Sequence, residues 1–245
     1  YKGMSGFPKA AESPYDVHPS GHASDSVSVA LGLAMARDLR GSDEKSVTII
    51  GDAALSGGMA FEALNQLGQL QTPMVIILND NEMSISRNVG ALARYLGEKR
   101  ASRGYTRTRD SVQSVLEASG PLGRGLVDLG RNAKDSFKQM VIPGEMLFEK
   151  LGITCTAPIP GHDIAALKRA LRVCLKADGP TLLHVVTKKG KGYEPAEENP
   201  SKFHGIGPYD IATGEVKKGS SSAPKYTSVF SKAIVAEAER DHDIV

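Results

Sequence analysis

Apolar residues recur with two different periods along the first part of the chain. They return every three or four positions over residues 24–40 and again over 57–71, which predicts two helices that each bury one face. Residues 47–50 and 74–78 are instead short, continuous apolar runs, typical of strands buried on both faces. Helix, strand, helix and strand therefore follow one another.

The same alternation returns later in the chain. Residues 152–157 predict a strand, residues 162–177 an amphipathic helix, and residues 181–186 a third buried strand. Strands that alternate with helices at this spacing are joined by right-handed crossovers, so the strands run parallel and the helices cover both faces. The predicted fold class is α/β, a parallel sheet flanked by helices.

Two segments depart from this pattern. Residues 98–140 are dense in Arg, Gly and Ser, which predicts a mobile excursion within a first domain at 1–205. A solvated, partly disordered segment is the favoured interpretation, and an arginine-lined surface for an anionic ligand is the alternative. Residues 206–225 have the composition of a linker, and an amphipathic helix within 226–245 predicts the start of another domain.

The composition argues against several classes of function. The 245 residues include 30 Lys and Arg against 28 Asp and Glu, a formal net charge of +2, so we expect no nucleic-acid binding. Cys155 and Cys174 lack the spacing of a zinc site or a disulfide framework, and we expect both in the core. No apolar run approaches the roughly 18 residues of a membrane helix, and the polar start lacks a signal-peptide core, so we expect a cytoplasmic protein without membrane attachment.

Polar residues follow two of the predicted strands directly. The sequence GDAA occupies positions 51–54, after the first strand, and NDN occupies positions 79–81, after the second. Ligands of open parallel sheets bind beyond the carboxyl ends of the strands, so we expect the two motifs to converge. Asp and Asn oxygens suit Mg²⁺, and the small residues after Asp52 allow a phosphate to approach the next helix N-terminus. Each motif alone is explained as well by a helix cap or a turn, but together they predict a metal bridged to a diphosphate.

Two common phosphate-binding motifs are absent from the sequence. No G-x-G-x-x-G follows a predicted strand, which disfavours a nicotinamide-binding Rossmann site. The chain also contains no G-x-x-x-x-G-K-[ST] phosphate loop. The predicted diphosphate site is therefore of another kind.

Several strings in the sequence resemble a known family. The pair GDA and NDN looks like the GDG and NDN signature of thiamine-diphosphate enzymes. The longer strings GHASDSVSVALGLAMA, GDAALSGGMAFEALN, PGEMLFEKLGI and KKGKGYEPAEENPSKFH resemble the 1-deoxy-D-xylulose-5-phosphate synthase family, which is transketolase-like. The resemblance runs from about residue 15 to about residue 210 and is weaker in the Arg-rich excursion.

This resemblance implies roles for individual residues. Mg²⁺ would be held by the side chains of Asp52 and Asn81 and by the backbone carbonyl of Met83. His204 matches an active-site histidine, although a loop histidine without chemistry is an equal alternative, and His22 fits a cofactor contact better than a neighbour of a helix cap. The residues implied to bind thiamine diphosphate are Gly21, His22, Ala23, Asp52, Ala53, Ala54, Asn81 and Tyr193.

The sequence departs from the family pattern in three ways. Ala53 replaces the third glycine of GDG, and Ala23 stands where many members carry serine. An added methyl removes no N–H donor, so we expect cofactor binding to be retained. The family's upstream active-site histidine and the glutamate of its following domain have no counterpart in the sequence. We therefore do not expect catalysis by these 245 residues alone.

The resemblance implies a function for the complete protein. It would condense pyruvate with D-glyceraldehyde 3-phosphate to 1-deoxy-D-xylulose 5-phosphate and release CO₂, with thiamine diphosphate and Mg²⁺ as cofactors and a homodimer as the expected assembly. Two alternatives remain open. One is a transketolase or other thiamine-diphosphate-dependent 2-oxoacid enzyme, since the same metal and diphosphate site serves these reactions. The other is a non-catalytic module that binds a phospho-ligand.

Overall fold

The computed structural model describes residues 5–101, 147–216 and 223–244, with the side chains of 99–101 left out. The chain divides into two compact units, Tyr1–Ser201 and Lys202–Val245. The proposed division of the sequence into a domain at 1–205, a linker and a further domain stays a prediction. Most of the predicted excursion at 98–140 lies outside the described residues.

The first unit alternates helices and strands, and the second contains one long helix. In chain order the elements are α1 Ser26–Arg40, β1 Val47–Gly51, a short 3₁₀ turn Ala54–Ser56, α2 Gly58–Leu70, β2 Val75–Asp80, α3 Ala91–Ala101, α4 Leu147–Lys150, β3 Thr154–Cys155, β4 Ile159–Pro160, α5 Ile164–Cys174, β5 Thr181–Val186, α6 Glu194–Glu198 and, in the second unit, α7 Tyr226–Arg240.

All strand pairs in the sheet are parallel. The strand order is β1-β2-β5-β3, and β4 also pairs with β5. Gly51 of β1 lies opposite Asn79 of β2, and Leu78 of β2 lies opposite His184 of β5. The predicted α/β fold is confirmed, and the strands that carry the GDAA and NDN motifs are direct neighbours.

Two hydrophobic clusters cover the two faces of the central strands. Helices α1 and α2 pack on one face, where Leu64 of α2 is fully buried with Ile76 of β2 and Leu182 of β5. Helix α5 covers the other face with side chains four positions apart, including Ala166 and Ala170. The carboxyl ends of β2 and β5 are therefore held between two packed layers.

Strand β1 differs from its prediction as a strand buried on both faces. Thr48 and Ile50 are buried, but Val47 is 41% exposed and Ile49 is 65% exposed. β1 is the edge strand of the described sheet, and only the face under α1 and α2 is covered. A continuous apolar run thus does not distinguish a central strand from an edge strand with one covered face.

Two other elements also differ from the prediction. Helix α3 was not predicted; its sequence ALARYLGEKRA contains three large apolar residues, Leu92, Tyr95 and Leu96, and among the described side chains of 91–98 Leu96 is the buried one. Of the strand predicted at 152–157, only Thr154–Cys155 (β3) forms a strand, and the short strand β4 follows outside the predicted range; both pair with β5. The two cysteines are free and buried, as expected, and burial raises the pKa of the Cys174 thiol to about 12.

Helix α7 in the second unit has no buried side chain among the described residues. Elsewhere in this unit, Tyr209 forms an isolated antiparallel bridge with Val216, and its ring packs edge-on against Phe203 at 5.4 Å between centroids. Within the part of the chain that the structure describes, no helix combines the length and the apolar character that crossing a membrane requires.

The loop between β5 and α6 is fixed by one carboxylate. Glu197 accepts a hydrogen bond from the backbone N–H of Gly192 at 2.8 Å and pairs with the Lys188 ammonium, while Lys191 lies 3.8 Å away. These contacts lower the pKa of Glu197 to about 2. The hydrogen bond from Lys188 has the largest effect, and the hydrogen bond from the Gly192 N–H has the next largest. This loop carries Tyr193, which directly precedes α6.

We expect Gly68→Ala to destabilise the protein. A Cβ at Gly68 in α2 would overlap the carbonyl oxygen of Leu151, so α2 and the turn after α4 must separate. The free energy of unfolding should fall by about 1–3 kcal/mol in urea denaturation. Gly32→Ala is the matched control, because no atom lies within 4 Å of a Cβ there in α1, and it should stabilise by about 0.5–1 kcal/mol. Equal effects at both sites would contradict this packing.

The ion pairs of Glu197 give a defined pH dependence. Its pKa is lowered in the folded state, so its stabilising contribution is present above its ordinary value of 4.5 and is lost as pH falls toward about 2. We expect Glu197→Gln to lower the melting temperature near pH 6 and the difference from wild type to shrink between pH 4.5 and 2. Glu198→Gln, at an exposed neighbouring position, should change the melting temperature little at any pH. If the melting temperatures of Glu197→Gln and wild type differ by the same amount at every pH, this role of Glu197 is refuted.

Candidate metal and diphosphate site

Asp52 lies immediately after β1 and is 6% exposed. Its Oδ2 accepts hydrogen bonds from the backbone N–H of Glu82 at 2.9 Å and from the side-chain amide of Asn88 at 2.8 Å. Its own backbone N–H donates to the carbonyl oxygen of Asn79 at 3.3 Å, which ties the ends of β1 and β2 together. The carboxylate is thus held against the loop that follows β2.

Asp80, the last residue of β2, is a second buried carboxylate beside Asp52. It is 1% exposed, its Oδ1 accepts from the N–H of Glu82 at 3.3 Å, and its Oδ2 lies 2.8 Å from Nε2 of His184. His184, in the middle of β5, is also 1% exposed. A histidine on the adjacent strand therefore partners the Asp80 carboxylate from inside the core.

The two carboxylates affect each other's charge. Burial and, next, the neighbouring Asp80 carboxylate together raise the pKa of Asp52 to about 6, although the N–H groups of Ala53 and Glu82 act to lower it. Two carboxyl groups in one partly desolvated site cannot both ionise easily without a nearby positive charge. A bound cation would supply that charge, so the electrostatics of this pocket suit a metal ion.

Asn81 and Met83 lie in the loop directly after Asp80. Oδ1 of Asn81 accepts from the backbone N–H of Met83 at 3.0 Å, and between them Glu82 has a left-handed φ of 64°. Because Gly51 lies opposite Asn79 in the parallel register, Asp52 and Asn81 follow β1 and β2 at the same edge of the sheet. The structure thus brings two of the predicted metal ligands to one strand edge, with Met83 two residues further on.

The residue set fits Mg²⁺ by its chemistry. Carboxylate, amide and carbonyl oxygens are hard donors, and Mg²⁺ is commonly held by few protein ligands while it keeps water or takes phosphate oxygens. Among residues 5–101, 147–216 and 223–244, no group of three or more His, Cys, Asp and Glu side chains could hold a metal ion. The set of Asp52, Asn81 and the Met83 carbonyl contains one carboxylate, one amide and one backbone oxygen. It therefore differs in kind from a cluster of His, Cys, Asp and Glu side chains.

The segment before α1 is tied to the segment after β1. Oγ of Ser24 donates to the carbonyl oxygen of Ala54 at 2.6 Å, and a Cβ at Gly57 would overlap this same hydroxyl. Only a glycine at position 57 therefore permits the two segments to approach this closely. The contact brings residues 21–23, which are exposed, to the segment that contains Ala53 and Ala54 and leads into α2.

The basic loop after β5 also reaches the strand ends. Nζ of Lys189 donates to the carbonyl oxygen of Ser84 in the loop after β2, and burial lowers the pKa of Lys189 while the charge of Asp52 raises it. Tyr193 is half-buried at the end of the same loop. His204 is exposed and belongs to the second unit.

Three polar residues of this region were not assigned a role from the sequence. Asp80 lies within the NDN motif, of which only Asn81 is assigned to the metal, and no role is assigned to Asn88. His184 did carry a signal, because a histidine inside the apolar run TLLHVV must find a hydrogen-bond partner when the strand is buried. Asp80 is that partner.

Two solved structures resemble the fold. One is transketolase from Campylobacter jejuni, at 22% sequence identity and a TM-score of 0.47 over 75% of this chain and 23% of that one. The other is a thiamin diphosphate-dependent enzyme from Mycobacterium smegmatis, at 22% identity and a TM-score of 0.39 over 69% of this chain and 23% of that one.

Sequence comparisons are closer. The chain is 50% identical over 245 residues to the 1-deoxy-D-xylulose-5-phosphate synthase of Desulforudis audaxviator and 48% identical over 246 residues to that of Syntrophomonas wolfei. Each match covers 100% of this chain and 38% of the relative's length. The family model described as 1-deoxy-D-xylulose-5-phosphate synthase matches residues 1–187. The chain therefore belongs to the 1-deoxy-D-xylulose-5-phosphate synthase family.

Proposed function

We propose that this chain provides the Mg²⁺ and diphosphate site of a thiamine-diphosphate-dependent 1-deoxy-D-xylulose-5-phosphate synthase. The observation that carries the proposal is the buried carboxylate of Asp52, which lies beside Asp80 at the ends of two neighbouring parallel strands. Such a site favours a cation, and the adjacent segments carry small residues and a helix N-terminus that suit an anion. Family membership supports the cofactor diphosphate as this anion.

The residues divide into two groups around the proposed ligands. Asp52 and Asn81 would hold Mg²⁺ through side-chain oxygens, and Met83 would hold it through its backbone carbonyl. The diphosphate would lie against the small residues that lead into α2, whose unpaired N–H groups favour negative charge. The remaining proposed cofactor contacts are Gly21, His22, Ala23, Ala53, Ala54 and Tyr193.

The reaction that we propose for the complete protein joins pyruvate to D-glyceraldehyde 3-phosphate with release of CO₂. Thiamine diphosphate, when bound, supplies the carbanion chemistry for this condensation. The chain's own residues hold and orient the cofactor, and we assign His204 a proton-transfer role through its imidazole. The chain spans 38% of the length of the two synthases compared above, so we assign the metal and diphosphate site to it and not the whole reaction.

Two further properties belong to this proposal. We infer a homodimer, on the grounds of family membership, and a location in the cytoplasm. The reaction would form the precursor with which the non-mevalonate route to isoprenoids begins. The near-neutral net charge of +2 gives no support to nucleic acid as a partner.

We expect Asp52→Asn in the full-length protein to weaken Mg²⁺-dependent binding of thiamine diphosphate by about 100-fold, because it removes the negative charge of a direct metal ligand. The metal-free variant should unfold within about 1 kcal/mol of wild type, since loss of a charged hydrogen-bond acceptor is offset by relief of the repulsion with Asp80. Isothermal titration calorimetry and thermal denaturation measure the two effects separately.

Asp43→Asn is the matched control for this substitution, because Asp43 is an exposed aspartate between α1 and β1. It should leave cofactor affinity unchanged. Cofactor binding that needs no divalent cation, or an Asp52→Asn variant with wild-type affinity, would refute the proposed metal site.

We expect the full-length protein to release CO₂ from pyruvate when D-glyceraldehyde 3-phosphate is present. The measurement is ¹⁴CO₂ release from [1-¹⁴C]pyruvate, with identification of the five-carbon sugar phosphate product by mass spectrometry. Cleavage of a ketose phosphate with no CO₂ release from pyruvate would instead assign the protein to transketolase. Binding of the cofactor with neither reaction would favour the non-catalytic module.

A further inference from the structure

The loop after β2 folds back on itself and returns the chain to the end of β1. Met83 forms an antiparallel bridge with Arg87, and the backbone N–H of Asn88 donates to the carbonyl oxygen of Glu82 at 3.0 Å. The left-handed φ of Glu82 permits the sharp reversal at the start of this loop. As a result, Asn88 reaches Asp52, from which it is 36 positions away in the sequence.

In the side-chain amide of Asn88, the nitrogen forms a hydrogen bond and the oxygen does not. Nδ2 donates to Oδ2 of Asp52 at 2.8 Å, whereas the buried Oδ1 has no hydrogen-bond partner among the described residues. Rotating the amide by 180° would place its oxygen against the carboxylate oxygen of Asp52, which is unfavourable when that carboxylate is ionised. The orientation of the amide is therefore fixed by Asp52, and the unpaired oxygen follows from it.

A structural role alone does not explain this arrangement. Buried polar atoms in folded proteins are nearly all paired, and an unpaired one indicates a functional site or an absent ligand. Asn88 lines a cavity of about 550 Å³ together with Asp52, Asp80 and the residues at the start of α3. The unpaired oxygen thus belongs to a residue that lines the cavity and is hydrogen-bonded to the proposed metal ligand Asp52.

We propose that Asn88 is a positioning residue of the Mg²⁺ site, an inference that rests on the proposed function. Its Nδ2 donates to Oδ2 of Asp52, so the orientation of the carboxylate that would hold the cation depends on Asn88. Asn88 therefore acts on the metal through Asp52 and belongs to the hydrogen-bonded shell around the ligands.

The test uses Mn²⁺ as a probe of the full-length protein with thiamine diphosphate present. Mn²⁺ dissociation constants are measured by electron paramagnetic resonance, which reports metal binding without any assay of turnover. We expect Asn88→Ala to weaken Mn²⁺ binding by about 10- to 100-fold. Asn65→Ala, at an exposed position on α2, is the matched control and should leave the dissociation constant unchanged.

A double-mutant cycle separates positioning from general loss of structure. In an Asp52→Ala background Asn88 has no carboxylate to hold, so Asn88→Ala should then change Mn²⁺ binding by less than about 2-fold. If Asn88→Ala fails to fold, Asn88→Leu keeps the side-chain volume without either polar atom, and we expect it to weaken Mn²⁺ binding to the same degree. Thermal denaturation of each metal-free variant identifies the folded ones.

Different outcomes affect different conclusions. A folded Asn88→Ala or Asn88→Leu variant with wild-type Mn²⁺ affinity would overturn the role of Asn88 and leave the metal site standing. Losses that add in the double variant would also overturn it, because they would show that Asn88 acts independently of Asp52. Absence of Mn²⁺ binding by the wild-type protein would overturn the proposed function and this inference together.

Discussion

The placement of two carboxylates side by side at the ends of β1 and β2 is the constraint on which the rest of the site depends. The parallel register sets Gly51 opposite Asn79, so Asp52 and Asp80 emerge at the same edge and both are buried. Buried carboxylates persist only when hydrogen bonds and opposite charge compensate them. His184 and the N–H groups of the loop after β2 provide part of that compensation, and a cation would provide the rest.

The site is assembled from loops that a rigid sheet holds in place. The apolar layers of α1, α2 and α5 fix the strand ends, while short segments at residues 21–24, 52–57, 79–88 and 188–193 carry the polar groups. Individual hydrogen bonds join these segments in pairs, including Ser24 to Ala54 and Asn88 to Asp52. The scaffold and the chemistry therefore have separate requirements, since core residues set positions and loop residues supply ligands.

Strand β5 serves both the core and the site. Its apolar side chains contribute to both hydrophobic clusters, its histidine partners Asp80, and the basic loop that follows it reaches Ser84 through Lys189. The same loop is anchored by Glu197 near Tyr193. A change in the position of β5 would thus alter the buried charge and the loop contacts together, because one strand positions both.

The sequence by itself determined the alternation of helices and strands, the parallel fold, the place of the GDAA and NDN motifs at the ends of two strands and the family. These follow from periodicity and from short motifs, and both can be recognised within one continuous stretch of sequence. Only the tertiary structure decided that β1 exposes one face, that His184 meets Asp80 across 104 positions, and that Asn88 returns to Asp52. Such contacts depend on strand register and on the path of a loop, and neither is written in the spacing of residues along one segment.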